Sequence, residues 1–327
     1  MTDVRTPEVA SAARPKSDRS KRTGWLQAYG VYIAVIVLLL FNIFFTKNFM
    51  SGANFRTQLL QAAPVCIVAL GMALVIGTEG VDLSVGAVMA LSAALIPLYL
   101  GYGVTASIIV GLVAGLVAGL FNGFLVAYIG IQPIVATLAL LVGGRGLALV
   151  IAQGRLVEVR DPTFLELGSG DVLGIPVSVL VAAVLAVVIG FLVQRTTFGR
   201  RLVAIGGNRS ASTLAGLPVK RILIGVYAIC GLLAGVAGVL ATARLGASDP
   251  ADIGLLMELS AITAVVVGGT PLTGGRVRVL GTVMGAILMQ LVRATLIKHD
   301  LPDSTAQMVQ AAIIVAAVYA ARERSSR

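Results

Sequence analysis

The sequence predicts an all-α, polytopic membrane protein with about ten transmembrane helices, some of them broken. Hydrophobic residues make up 57% of the chain and charged residues only 12%, whereas a soluble domain carries about 25% charged residues. Such a chain cannot cover a globule with polar surface, so its apolar stretches must face lipid or one another. Long continuous apolar runs, such as residues 31–45 and 177–193, favour helices over the short alternating strands of a membrane barrel.

Ten segments approach the length of about 20 mostly apolar residues that a spanning helix needs. In chain order they are residues 28–46, 57–77, 84–100, 104–128, 133–151, 177–194, 220–242, 256–272, 279–297 and 305–321. They form one transmembrane domain, residues 28–321, between a disordered basic tail, residues 1–27, and a short cytoplasmic C-terminal tail, residues 322–327. The first segment ends on bulky residues rather than a small-residue cleavage pattern, so we interpret it as a retained helix.

The distribution of Lys and Arg predicts the orientation of the chain in the membrane. Most of the 25 basic residues lie in the N-terminal tail, in the 195–221 connection, at Arg276 and Arg278, and in the C-terminal tail. Acidic residues collect on the opposite side, notably between Glu158 and Asp171. Both termini are therefore expected in the cytoplasm. The net charge of +10 reflects this orientation and does not indicate nucleic-acid binding.

Glycines recur every four residues along one face of the fourth segment, at Gly111, Gly115, Gly119 and Gly123. Such a ridge allows two helix backbones to approach closely in lipid. We interpret these four residues as helix-packing residues and not as a binding site.

Two segments interrupt the apolar pattern, residues 77–86 and residues 268–276. Broken backbone at membrane depth is tolerated where protein or a water-filled cavity surrounds it, and paired breaks in two halves indicate a transport pathway. Asp82 and Ser84 have an alternative role as capping residues of the next helix. The carboxylate of Glu79 needs a partner or water beside an apolar span.

Polar residues within or beside the spans define a candidate substrate path. They are Gln61, Glu79, Asp82, Ser84, Asn122, Gln132, Thr137, Glu258 and Thr263. Uncharged amides and hydroxyls suit hydroxyl-rich solutes, which need paired donors and acceptors. Hydrogen bonding between helices is an equally open alternative. Arg145 and Arg293 lie near predicted outer ends of spans, where snorkelling is expected.

The residue inventory excludes several chemistries. Cys66 and Cys230 have no metal-ligand spacing, and His299 is the only histidine, so neither a metal site nor a catalytic cluster is expected. The sequence contains no Gly-x4-Gly-Lys-Ser/Thr phosphate loop, so the chain is not expected to hydrolyse ATP. A membrane-embedded enzyme and a passive channel are weak alternatives. An ion-coupled secondary transporter is the stronger one, with Glu79 or Glu258 as the titratable residue.

The longest internal connection predicted in the cytoplasm is residues 194–221. Asn208 is a suitable N-cap for a short helix over residues 209–215, which Gly216 would end before Pro218. A short capped helix in a basic loop forms a compact docking surface, although a plain connection has the same appearance.

At these residues the chain resembles the permease subunits of bacterial ABC sugar importers, the ribose, arabinose and xylose group. Three segments carry the resemblance, residues 80–86, 198–219 and 267–276. Residues 122–138, 144–146 and 255–262 look closest to the galactofuranose-type permeases. The resemblance covers about residues 28–321 and implies a type II ABC importer fold in the inner (plasma) membrane. It departs from the family at Glu79, where glycine is common, and at Ser212, where alanine is usual.

The resemblance also implies a permease function and a set of partners. It implies a homodimer or paired permease in membrane lipid, two cytoplasmic ATP-binding subunits and an extracytoplasmic sugar-binding protein, for which the 158–171 loop is a plausible docking surface. ATP and magnesium would bind to the partner subunits, so no cofactor is expected in this chain. The residues implied in coupling to the ATPase are Gly199, Arg200, Arg201, Gly207, Asn208, Ala211, Ala215 and Gly216.

Overall fold

The computed structural model describes the backbone of residues 18–322 and the side chains of residues 29–302, 304–313, 315 and 316. Residues 1–17 and 323–327, which belong to the two predicted tails, lie outside the described residues. The first helix begins at Asp18, so residues 18–27, assigned to the tail from the sequence, are helical.

Thirteen α-helices account for most of the described chain. They are α1 (Asp18–Phe45), α2 (Gly52–Gly77), α3 (Val85–Tyr99), α4 (Val104–Phe124), α5 (Pro133–Ile151), α6 (Pro162–Ser169), α7 (Val177–Arg195), α8 (Thr197–Gly207), α9 (Arg209–Leu214), α10 (Val219–Leu245), α11 (Met257–Val267), α12 (Val279–Lys298) and α13 (Asp303–Arg322). A 3-10 turn, Leu100–Tyr102, follows α3, and a π-helical turn, Leu125–Ile129, extends α4.

Four short strands lie in the connections between helices. They are β1 (Val157–Glu158), β2 (Asp171–Val172), β3 (Ile175–Pro176) and β4 (Ala247–Ser248). β1 pairs antiparallel with β4, and β2 and β3 form a hairpin in which Val172 faces Ile175.

The predicted helical membrane fold is confirmed. Each of the ten predicted segments coincides with one helix, namely α1 to α5, α7 and α10 to α13. Among the described residues, seven helices are long and apolar enough to cross a membrane. The eighth segment is shorter than predicted, because α11 has only 11 residues. Non-helical residues 249–256 precede it, and Gly268 and Gly269 follow it.

α2 and α10 form the centre of the bundle, because most of their residues are buried on all sides. The large side chain of Tyr227 on α10 is fully buried. By contrast, α5 and α7 bury only about a fifth of their residues. Their apolar outer faces are therefore available to lipid or to another protein chain.

The bundle has two ends with different connections. At one end, here called the α6 end, α6 and both strand pairs lie together, and Arg56 at the start of α2 forms an ion pair with Asp171 at 3.2 Å. At the other end, the α8 end, α8 and α9 lie in the connection between α7 and α10. There the ammonium group of Lys220 lies 5.0 Å from the ring centre of Tyr128.

The glycine ridge of α4 lies directly against the backbone of α10. A Cβ atom at Gly115 would overlap the carbonyl oxygen of Gly231, and one at Gly119 would overlap that of Tyr227. Gly123 faces the Cα atom of Ile224. The two helices therefore approach more closely than side chains would permit, as small residues allow in a membrane.

We expect Gly119→Ala to lower the thermal stability of the purified protein, because its methyl group would force α4 away from α10. Overpacking of this kind costs about 1–3 kcal/mol. Gly30→Ala on α1 is the matched control, because a Cβ there has no neighbour within 4 Å. Thermal unfolding in detergent checks the expectation, and equal melting temperatures for the two variants would contradict it.

Candidate functional site

The break between α2 and α3, residues 78–84, contains a buried chain of hydrogen bonds. The Ser84 hydroxyl donates to the Asp82 carboxylate at 2.6 Å, and the Asn122 amide nitrogen donates to the Ser84 hydroxyl at 2.8 Å. The backbone N–H of Ser84 also donates to Asp82, at 3.0 Å. Ser84 occupies the N-cap position of α3 but makes no side-chain capping bond. The polar side chains therefore connect the break to α4 instead of capping α3.

Further polar groups surround this chain of hydrogen bonds. The Tyr227 hydroxyl lies 2.8 Å from where a Cβ atom of Gly80 would stand. The Asn122 amide oxygen and the Tyr227 hydroxyl are both buried without a hydrogen-bond partner in the described chain. The arrangement leaves unused hydrogen-bonding capacity inside an apolar bundle, which is costly unless a polar species uses it at some stage.

A second break, the non-helical residues 249–256 before α11, is not among the two breaks predicted from the sequence. Gly254 and Leu256 both have left-handed backbone conformations, with φ of 76° and 57°. The turn-forming pair Asp249-Pro250 is the signal in the sequence that indicates this break. The predicted break at residues 268–276 is also present, as the non-helical connection between α11 and α12.

Arg145 on α5 holds the second break in place. One of its guanidinium nitrogens donates to the carbonyl oxygens of Pro250, Ala251 and Ile253, at 2.8, 3.2 and 3.2 Å. The expected snorkelling of Arg145 was therefore wrong, because the side chain turns to the backbone of the bundle. Irregular backbone at membrane depth needs such internal partners.

The two breaks meet where α3 and α11 begin. A Cβ atom at Gly86 would overlap the carbonyl oxygen of Gly254, and it would stand 2.7 Å from a carboxylate oxygen of Glu258. That oxygen is buried and has no hydrogen-bond partner in the described chain. Two helix N-termini with their partial positive charge thus lie beside one carboxylate. We name the contact of Gly86, Gly254 and Glu258 the helix-start junction.

α5 contacts both breaks. The Thr137 hydroxyl, which donates to the Pro133 carbonyl oxygen at 2.9 Å, also lies 3.4 Å from the carbonyl oxygen of Val81 in the first break, while Arg145 binds the second break. Because most of the remaining α5 surface is exposed, this helix connects the two breaks to the outer face of the chain. Paired short helices that meet inside a bundle are typical of a transport site.

A separate polar cluster lies in the first half of α2, towards the α6 end. The Gln290 amide nitrogen of α12 donates to the side-chain oxygens of Gln58 and Gln61, at 2.9 and 2.6 Å. Gln58 and Gln61 are partly exposed. Gln61 was predicted from the sequence, whereas Gln58 was not.

The remaining predicted path residues lie apart from the helix-start junction. Glu79 is exposed and has a left-handed backbone with φ of 64°, a conformation that glycine adopts more readily than other residues. Gln132 is exposed at the start of α5. Thr263 is buried and donates to the Leu259 carbonyl within its own helix. The structure thus brings together Asp82, Ser84, Asn122, Thr137 and Glu258.

The residues implied in coupling lie at the α8 end. Seven of them are exposed, namely Arg200, Arg201, Gly207, Asn208, Ala211, Ala215 and Gly216. The Asn208 side chain accepts the backbone N–H of Ala211 at 2.8 Å and caps α9. Gly199 is buried against the backbone of Val193. Leu214 in α9 is 88% exposed and was not identified from the sequence, because a single leucine in a loop carries no distinctive pattern.

The chain matches the model of one protein family, described as the permease component of branched-chain amino acid transport systems, over residues 54–318. It belongs to this family. These permeases are membrane proteins, and with seven long apolar helices the chain is a multi-pass membrane protein. As the permease of a transporter, the chain works with ATP-binding and substrate-binding partners. No solved structure matches the chain significantly.

Several characterised permeases are similar over most of their length. A ribose import permease of Bacillus subtilis is 38% identical over 93% of this chain and 95% of that protein. A galactofuranose transporter permease of Escherichia coli is 35% identical over 93% of this chain and 92% of that protein. A fructose import permease of Bifidobacterium longum is 36% identical over 81% of this chain and 79% of that protein.

We expect Arg145→Ala to loosen the second break, because three carbonyl oxygens would lose their donor. An unsatisfied buried acceptor costs about 1–3 kcal/mol, so backbone amides of residues 249–256 should exchange with deuterium roughly tenfold faster or more. Hydrogen–deuterium exchange with mass spectrometry measures this. Arg155→Ala, at an exposed arginine of the next connection, should leave the exchange unchanged. Equal exchange in the two variants would rule out the proposed role of Arg145.

Proposed function

We propose that this chain is the transmembrane permease subunit of an ATP-binding-cassette importer that moves a monosaccharide, a pentose or a furanose hexose, across the bacterial inner membrane. The observation that carries the proposal is the identity of 35–38% to permeases named for ribose and galactofuranose, over about nine tenths of the chain. The ion-coupled alternative is not favoured by these relatives.

The charge distribution supports an orientation with the α8 end in the cytoplasm. The exposed arginines of α8 and the basic residues around Lys220 lie at that end, as the positive-inside rule requires. The N- and C-termini would then also be cytoplasmic. The α6 end would face outward, where the 158–171 connection would meet an extracytoplasmic sugar-binding protein.

Partner subunits complete the transporter in this proposal. Two copies of the chain, or this chain and a related permease, would enclose the path between them. Two cytoplasmic ATP-binding subunits would dock on α8 and α9, where the capped helix α9 presents Leu214. ATP and magnesium would bind only to those subunits, because this sequence lacks a phosphate-binding loop. The chain itself would be non-catalytic.

The polar groups near the path support a sugar more than a charged amino acid. The glutamine cluster of Gln58, Gln61 and Gln290 is uncharged and offers both donors and acceptors. The carboxylate of an amino acid would need a cation, and Arg145, the cation at the second break, already donates through one guanidinium nitrogen to three carbonyl oxygens. Hydroxyl-rich solutes exchange hydrogen bonds with amides and hydroxyls without a counter-charge.

Transport would proceed by alternating access around the helix-start junction. When ATP brings the partner subunits together, α8 and α9 would move with them, and the path would open towards the α6 end. After hydrolysis the subunits would separate and the path would open to the cytoplasm. The binding energy of ATP biases two arrangements of the helices, as in any two-state transport cycle.

We expect proteoliposomes that contain the permease, its ATP-binding subunits and the sugar-binding protein to accumulate labelled ribose or a furanose hexose only when ATP is present. Proteoliposomes with the permease alone should show no uptake, even with an imposed proton gradient. Uptake by the permease alone, or uptake that follows the proton gradient, would contradict the proposal. Excess unlabelled leucine as a competitor tests the amino-acid alternative, and inhibition by leucine would contradict the sugar assignment.

A further inference from the structure

Three separate segments meet backbone to backbone at the α8 end. They are the last turn of α8 at Gly206, the end of α2 at Gly77 and the α11–α12 connection at Gly275. The N–H of Gly275 donates to the carbonyl oxygen of Gly77 at 3.1 Å. A Cβ atom at Gly206 would overlap that same carbonyl oxygen and would stand 2.6 Å from the Gly275 nitrogen. We name this contact the glycine junction.

The glycine junction has no space for a side chain at Gly206, whereas there is space for one at the next residue, Gly207. A Cβ atom at Gly207 would have no neighbour within 4 Å. Gly206 is buried and Gly207 is exposed, so one face of α8 contacts the bundle while the other is free. The exposed face also carries Arg200 and Arg201, which are implied in docking to the ATPase. One short helix therefore joins the docking surface to the bundle.

Two side chains enclose the glycine junction. Leu202 of α8 and Val277 of the α11–α12 connection both pack over Gly77, and their methyl groups would meet a Cβ atom placed there. Leu202 is fully buried and lies one helical turn before Gly206. The same face of α8 thus contacts α2 and the α11–α12 connection at two successive turns.

Each segment that α8 contacts leads to another part of the candidate path. Gly77 is followed by the first break, where the Ser84 hydroxyl donates to Asp82 and accepts from the Asn122 amide. Gly275 lies in the connection from α11, which begins at the helix-start junction, to α12, which carries Gln290. A displacement of α8 would therefore reach both halves of the path. Backbone atoms in direct contact transmit such a displacement because no rotatable side chain lies between them.

We propose that Gly206 is a positioning residue for transport, through which movement of α8 is transmitted to both breaks. This inference rests on the proposed ABC importer function. The movement would pass from α8 to the two breaks through the glycine junction, which lies inside the permease and is separate from the surface of α8 that would dock on the ATPase. The absence of a side chain at Gly206 is what permits the direct contact.

The test compares Gly206→Ala with the control Gly30→Ala on α1, where an added Cβ atom has no neighbour within 4 Å, in the complete transporter, reconstituted with its ATP-binding subunits and sugar-binding protein. The measured quantity is sugar imported per ATP hydrolysed. We expect Gly206→Ala to lower this ratio about tenfold, since an added methyl group separates the three segments, while the hydrolysis rate stays within about twofold. Gly30→Ala should behave as the wild type. Gel filtration of the assembled complex verifies that both variants fold.

A second pair of variants tests the contact independently, including the case in which Gly206→Ala does not assemble. Gly77→Ala would meet the Val277 side chain, so it should also lower the ratio, and Val277→Ala in the same chain should restore it in part. A wild-type ratio in Gly206→Ala, or no restoration in the double variant, would overturn the inference. If the wild type itself shows no ATP-driven uptake, the proposed function fails instead.

Discussion

The structure depends on one constraint, that every backbone N–H and C=O group inside a membrane needs a partner within the protein. Regular helices meet this requirement themselves, but residues 78–84 and 249–256 do not. Asp82 accepts the free N–H of Ser84 in the first break, and Arg145 donates to three carbonyl oxygens in the second. The breaks are tolerated because these side chains replace the backbone hydrogen bonds that a helix would make. The breaks in turn bring polar backbone and side-chain groups into the candidate path.

Close approach of backbones is the complementary feature. Glycines let α4 lie against α10, let Gly86 meet Gly254, and let α8 reach α2 at Gly206. In lipid there is little hydrophobic driving force between helices, so packing contacts of this kind carry much of the association. In the proposed transport cycle these glycine contacts would also transmit movement, because two backbones in direct contact move together without a rearrangement of side chains between them. Stability and transmission of movement thus depend on the same residues.

The sequence predicted the fold well and the path in part. Hydropathy placed each of the ten predicted segments on a helix, because an apolar helix is a local property of about 20 residues. The first break was also local, since Asp82 and Ser84 follow a glycine-rich turn. The break at 249–256 was missed because its partner, Arg145, lies far away in the sequence. Glu79 follows α2 and is exposed, so water can solvate its carboxylate, but its left-handed backbone is a feature that periodicity does not reveal.

The central claim is that the second break lines a water-accessible path, and labelling of single cysteines tests it most directly. Leu255 in the break and Val117 on the outer face of α4 are similarly exposed, at 58% and 57%. Each is replaced by cysteine in a chain that carries Cys66→Ala and Cys230→Ser, and a water-soluble maleimide is applied to the reconstituted transporter. We expect Leu255→Cys to react and transported sugar to slow the reaction, while Val117→Cys stays unlabelled. Equal labelling at the two positions, or none at Leu255→Cys in any nucleotide state, would contradict the account.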